Sequence, residues 1–291
     1  MLLFHDLACG LGSDYPFYGL QCRGVDGSKN YLTTVEEMAS HYLKEIRELQ
    51  PEGPYYLGGF CMGGQIAYEM ALRLRKDGQR IAMLVMIDTY NFNGTPLRLS
   101  RRESLSHSIQ KASFHWVNFM RLGPRERRSY LRRKLKGAYG REVERASVKL
   151  SNLLRIGLAV NGRGTREVFL EDINDKAYFA YVPQACDQKI TVFKPQRNYS
   201  FLTKPGMGWN DVAVGGLDII ELPVNPGGIF VEPYVQTLAE KLRTLIDETC
   251  AKADARHVPL APLKTHPNNG SRDVSSRCME QGMAYDEKYT F

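Results

Sequence analysis

Gly59-Phe60-Cys61-Met62-Gly63 places a thiol between two glycines at a change of hydrophobic period. Before it, Tyr55-Tyr56-Leu57-Gly58-Gly59-Phe60 is short, apolar and bounded by Pro54, which reads as a buried strand. After it, Ile66, Ala67, Met70, Leu72 and Leu74 follow a helical stripe that ends near Gly78. A sharp strand-to-helix turn of this kind exposes a reactive side chain at the top of a sheet. The spacing predicts that side chains at Gly59 and Gly63 would collide with the strand and the helix. Cys61 falls at the helix N-terminus, where aligned N–H groups favour a thiolate, and the Met62 N–H falls where an oxyanion donor is needed. The chemistry implied is acyl transfer through a thiol. The competing reading is a buried, inert cysteine in a chance GxCxG.

Ala82-Met83-Leu84-Val85-Met86-Ile87 reads as a second buried strand and ends in Asp88-Thr89. In open α/β sheets, ligands and catalytic groups gather just outside the carboxyl ends of the strands, which makes Asp88 the candidate acid. The alternative is a turn or capping aspartate.

These features sit within longer blocks: Pro16-Phe17-Tyr18-Gly19-Leu20-Gln21, Gln50-Pro51-Glu52-Gly53-Pro54-Tyr55, Ile87-Asp88-Thr89 and Val231-Glu232-Pro233-Tyr234. Together they resemble the thioesterase domains that end nonribosomal peptide and polyketide synthetases, from about Leu2 to about Thr249. The resemblance implies an α/β-hydrolase-like fold: a mostly parallel sheet flanked by helices, with an inserted helical lid at about 96–165. It implies transfer of an acyl or peptidyl group from a phosphopantetheine thioester onto a nucleophile, then to water or an internal nucleophile. The family's nucleophile falls on Cys61 and its acid on Asp88. The implied partner is a phosphopantetheinylated acyl or peptidyl carrier protein, or a free acyl thioester.

Two departures stand out. The family's histidine falls at Pro226 or Gly227, in Leu222-Pro223-Val224-Asn225-Pro226-Gly227-Gly228-Ile229-Phe230, and neither residue can act as a base. At the start, Leu2-Leu3-Phe4-His5-Asp6 resembles the family's first strand, and Leu7-Ala8-Cys9-Gly10-Leu11-Gly12 the end of the helix after it. The oxyanion loop expected between them is short, and the second oxyanion donor is missing with it. If this segment begins as a strand, His5 follows it on the elbow's side of the sheet and is a candidate base. His41 falls in a helix from Thr34 to Gln50 that opens with a Thr34…Glu37 capping box. His107 and His115 fall in the lid, and His257 and His266 in the tail.

The rest of the chain has to position these groups. At 291 residues it can bury one sizeable α/β core with a lid. Lys189–Phe193 and Leu217–Leu222 read as further strands, and Pro233 opens a last helix carrying Val235, Leu238, Leu242, Leu245 and Ile246 on one face. The expected domain is 1–250, followed by a polar, disordered tail over 251–291.

No stretch approaches the roughly 20 apolar residues of a membrane span, and Met1–Phe4 has no basic region before it. Six cysteines without metal spacing, one at the elbow, suit a reducing cytoplasm, and neither metal nor cofactor is expected. The net charge of +7 concentrates in Arg101–Leu150, with 14 Lys or Arg against 4 Asp or Glu. That segment includes Arg125, Arg127, Arg128, Arg132, Arg133, Lys134 and Lys136. It reads as a basic amphipathic lid, either steering an acidic carrier protein or simply solvated. Nucleic-acid recognition has no motif behind it.

Three functional readings follow. The first is a thioesterase-like hydrolase or acyltransferase using Cys61 and Asp88, impaired by the missing histidine. The second is a catalytically inactive remnant that binds a carrier protein. The third is another cysteine-elbow hydrolase, of the dienelactone-hydrolase or polyester-synthase kind, which also needs a histidine.

Overall fold

The computed structural model describes residues 2–24, 30–95, 99–124, 127–128, 163–200, 202, 204–254 and 272–273. Four parallel strands form the central sheet in the order β2 (Tyr55–Phe60), β3 (Ile81–Ile87), β4 (Ile190–Pro195), β5 (Leu217–Leu222). Gly59 pairs with Met86 and Ile87 with Phe193, so the ends of β2, β3 and β4 lie side by side. The continuous apolar run of β3 is explained by burial on both faces. Leu84 and Met86 join a core with α2 (Val35–Leu49) and α3 (Met62–Lys76), whereas Val85 and Ile87 join one with α1 (His5–Leu11) and α6 (Tyr234–Asp254). Each such Leu, Ile or Phe contributes on the order of 1.5–3 kcal/mol when fully buried.

Local signals set the helix boundaries. Thr34 caps α2 by accepting the Glu37 N–H at 3.1 Å. The Glu37 carboxylate takes the Thr33 N–H at 2.8 Å, one residue earlier than a reciprocal capping box requires. Between β3 and β4 run α4 (Arg101–Arg121) and α5 (Arg163–Ala180). Ser100 and Glu103 form a complete capping box on α4. Much of the expected lid, including Arg125, Arg132, Arg133, Lys134 and Lys136, lies outside the described residues. So does the tail, apart from 251–254, which continue α6, and Arg272–Asp273 (β6), which pairs antiparallel with Tyr18–Gly19 (β1).

The start of the chain differs from the sequence expectation. Leu2–Phe4 is a 3-10 turn running directly into α1, so Leu2–Asp6 is not a strand. Tertiary packing decides this: Leu7 and Leu11 bury one helical face against Val235, Leu238 and Leu242 of α6. Cys9 is disulfide-bonded, and Cys22, Cys61, Cys186 and Cys250 are free thiols. No described helix is long and apolar enough to cross a membrane.

Candidate active site

Cys61 occupies the single position between β2 and α3, with φ 51° and ψ −119°. That left-handed region is strained for a residue with a side chain and marks a backbone held by its surroundings. Three hydrogen bonds hold it. The Cys61 N–H donates to the Ile87 carbonyl at 2.9 Å. The Cys61 carbonyl accepts the Gly64 N–H at 3.0 Å and the Thr89 hydroxyl at 3.1 Å.

The glycines divide their roles differently from expectation. A Cβ on Gly59 would overlap the carbonyl group of Gly63, and one on Gly64 would overlap Thr89, reaching its Cγ2 at 2.8 Å. A Cβ on Gly63 meets nothing within 4 Å, so Gly63 is not the residue that avoids a collision. The close approach at the far side of the elbow belongs to Gly64 against the acid loop.

Asp88 also has a left-handed backbone, with φ 45°, and its N–H donates to Phe193 at 2.7 Å. The residue keeps partial exposure, but its Oδ1 is enclosed and has no hydrogen-bond partner among the described residues. Desolvation raises the Asp88 carboxyl to about 7. The loop after it is pinned by Trp209, whose Nε1 donates to the Thr89 carbonyl at 2.9 Å, and by Gln65, whose Nε2 donates to the Tyr90 carbonyl at 3.0 Å.

Cys61 is 9 % exposed. Burial and the charge of Asp88 push its thiol up to about 12, outweighing hydrogen bonds from the Met62 N–H and the Tyr178 hydroxyl, which favour the thiolate. The expectation of a thiolate favoured by the helix N-terminus is thereby corrected: one aligned N–H does not offset removal of the sulfur from water. Met62 follows Cys61 directly as the first residue of α3.

Tyr178 was not anticipated. It stands on α5, far from the elbow in sequence, and its hydroxyl accepts the Tyr90 N–H at 3.0 Å. No local pattern marks it, because an aromatic residue on an apolar helix stripe is ordinary core. Tyr199 also lies within electrostatic reach of Asp88. Beside Tyr90, a cleft of about 250 Å³ opens between Asn198, Leu202, Met207 and Ile219.

The histidines fall elsewhere. His5 opens α1, so the strand that would have aimed it at the elbow is absent, and its Nδ1 meets Asp6 Oδ1 at 3.1 Å. His107, on α4, packs edge-on against Tyr199 at 4.6 Å between ring centroids. The loop where the family histidine falls makes an aromatic and an amide contact instead: Phe230 packs on Phe60 at 5.1 Å, and Asn225 Nδ2 donates to Asn118 Oδ1 of α4 at 3.5 Å. Among the described residues, no group of three His, Cys, Asp or Glu is placed to hold a metal ion.

A parallel sheet with a strained cysteine between strand and helix, and an aspartate at the end of the next strand, is an α/β-hydrolase-like arrangement. Residues 1–108 match the Thioesterase domain family. Over 92 residues the chain is 40% identical to a dimodular nonribosomal peptide synthase of Bacillus subtilis (strain 168), covering 32% of this chain and 4% of that protein. Over 108 residues it is 39% identical to the polyketide synthase PksR of the same organism, covering 37% of this chain and 4% of that one. The chain thus spans a few per cent of these relatives' length. Among solved structures, it resembles a four-domain nonribosomal peptide synthetase bound to AMP and glycine, with TM-score 0.59 and 21% identity over 84% of this chain and 18% of that one. It also resembles the NocB thioesterase domain in covalent complex with a fluorophosphonate nocardicin G analogue, with TM-score 0.55 and 22% identity over 84% and 88%. At these identities the structural likeness establishes the fold.

Proposed function

We propose that the chain transfers an acyl or peptidyl group from a phosphopantetheine thioester onto Cys61 and releases it slowly. The observation that carries this is the strained Cys61 at the strand–helix turn, beside a buried carboxyl on the neighbouring strand. Cys61 Sγ attacks the thioester carbonyl, and the developing oxyanion takes the Met62 N–H. The thiol proton passes to Asp88, directly or through one water, and from Asp88 to the departing pantetheine sulfur. Water then attacks the acyl-cysteine carbonyl, giving its proton through Asp88 back to the Cys61 sulfur. A carboxyl raised to about 7 is a competent base at neutral pH, which supports Asp88 in the role that a histidine fills elsewhere.

The reaction should be slow. In a serine triad, loss of a member leaves roughly 10³–10⁴-fold acceleration over water. The deacylation step suffers most, because it alone needs an activated water. The matched relatives are multidomain synthases, which supports delivery of the acyl group on a carrier protein. Arg101, Arg102, Lys111 and Arg121 of α4 would attract an acidic one.

The second reading, a non-catalytic relative that binds a carrier protein, is favoured by one observation: a nucleophile pushed up to about 12 is almost wholly thiol at neutral pH. Intact-mass spectrometry after incubation with an acyl-pantetheine thioester separates the two, with Cys61→Ala alongside. A Cys61-dependent adduct that decays establishes turnover, and one that persists establishes acylation with failed release. A folded protein that forms no adduct refutes the catalytic reading for these substrates.

A further inference from the structure

We propose that the cleft beside Tyr90 is a binding site for a carboxylate carried on a short apolar chain. The inference goes beyond the reading of Cys61 as a nucleophile and does not depend on it.

The cleft encloses about 250 Å³ between the acid loop, the end of β4, the strand β5 and the turn 204–208. Met207 and Ile219 are among its apolar walls, and its polar groups are Tyr90, Asn198, Lys194 and Lys204. Among the described residues no aspartate or glutamate lines it. The Lys194 ammonium is neutralised by Glu221 at 2.7 Å. The Lys204 ammonium lies over the Phe92 ring, 5.9 Å from its centroid, and has no carboxylate partner among the described residues. One positive charge is therefore left uncompensated at the cleft.

The hydrogen bonds have the same polarity. Tyr90 is 6 % exposed, and its hydroxyl oxygen accepts from Asn198 Nδ2. Its own O–H proton meets no acceptor among the described residues. Asn198 Oδ1 is taken by the Tyr199 N–H at 2.8 Å, and Nδ2 keeps a second proton. Donors thus stand unused where acceptors are already occupied. A buried hydroxyl that only accepts forgoes a bond, and an anionic acceptor would restore it. A carboxylate brings two acceptor oxygens and the matching charge, while Met207 and Ile219 suit an apolar chain.

The cleft is preformed. Gly206, Met207 and Gly208 are successively left-handed, with φ 59°, 54° and 83°. That is strained for Met207 and persists because the turn is held. The Asn91 N–H donates to the Met207 carbonyl at 2.9 Å, and Asn91 Nδ2 to the Gly208 carbonyl at 2.8 Å. A Cβ on Gly208 would overlap the Asn91 carbonyl oxygen. Tyr90 and Asn91 are adjacent, so the acid loop supplies both a donor to the cleft and the anchor of its far wall.

The test is titration of the ¹³C-methyl-methionine protein with hexanoate, followed at the Met207 methyl signal, which Met207→Leu assigns. Hexanoate should move that signal saturably, with a Kd on the order of 1 mM. Hexanol and acetate each lack half of the ligand and should bind at least about tenfold more weakly. Tyr90→Phe should weaken hexanoate roughly tenfold, and Lys204→Gln about three- to fivefold. A signal that hexanoate leaves unmoved overturns the proposal. So does hexanol binding as well as hexanoate, or inorganic phosphate binding as well, which would mark a simple apolar or anionic surface. If Tyr90→Phe fails to fold, the exposed Lys204→Gln carries the test, and unchanged affinity there overturns the proposal. Titration needs no thioester, so saturable binding by a protein whose Cys61 forms no acyl adduct upholds the cleft and refutes the thioester reading alone.

Discussion

The Thr89 hydroxyl stands 3.1 Å from the Cys61 carbonyl and 3.1 Å from the Ile87 carbonyl, so its one proton is shared between the elbow and the end of β3. Thr89 is fully buried, and its hydroxyl oxygen and methyl group together fill the space that Gly64 leaves open. The relative position of Cys61 and Asp88 is thus secured by packing and does not depend on a histidine between them.

This contact predicts opposite outcomes for neighbouring glycines. Gly64→Ala should destabilise by about 1–3 kcal/mol, because the new methyl group must displace Thr89 or bend the helix. Gly63→Ala meets open space and gains helix propensity, so it should be neutral or stabilising by a few tenths to about 1 kcal/mol. Urea denaturation of the two variants checks both, and equal destabilisation would contradict the geometry.

Asp88 makes stability depend on pH. Its carboxyl is raised from an ordinary 3.8 to about 7 by desolvation. The folded state therefore holds the proton more tightly than the unfolded state between those values. Stability from this group is full below about 4 and falls as pH rises to about 7. Asp88→Asn removes the ionisation while keeping the shape. It should be more stable than wild type at pH 8, by on the order of 2–4 kcal/mol at 1.36 kcal/mol per pKa unit, and show little difference at pH 4. If Asp88 is the base, acylation of Cys61 should fall at least 10²-fold in the same protein. Denaturation at the two pH values and adduct formation by intact mass test the two halves separately.

Cys61 should not behave as a poised thiolate. With its thiol pushed up to about 12, alkylation of wild type should rise about tenfold per pH unit from 7 to 10 without a plateau. A plateau near neutral pH would show that the site stabilises the thiolate more than its burial allows.

Trp209→Phe should loosen the acid loop. Trp209 is fully buried, and its indole N–H satisfies the Thr89 carbonyl at 2.9 Å. The variant loses that bond and leaves a void, at a combined cost of roughly 2–4 kcal/mol. Thermal unfolding reports the cost. Acylation measured well below the melting temperature should drop further than the folded fraction does.

The strand–elbow–helix unit and the Asp88 strand were legible in the sequence because local rules dictate them. Short continuous apolar runs, a period-3.6 apolar stripe, Pro54, the paired glycines and the Thr34 cap each act within a few residues. Cys61, Met62 and Asp88 could be named on that basis, and the fold brings all three together. What tertiary structure decided involves partners distant in the chain. Leu2–Leu11 is apolar enough for strand or helix, and α6 settles it by offering a helical groove. Gly64 rather than Gly63 bears the close approach because Thr89 arrives from the next strand. The Cys61 thiol is pushed up, against the pull of its helix N-terminus, because desolvation is set by everything packed around the sulfur. Tyr178 meets the loop after β3 from 88 residues away, its hydroxyl accepting the Tyr90 N–H. Nothing in the residues around Tyr178 encodes that approach, because it depends on the docking of α5 against α3.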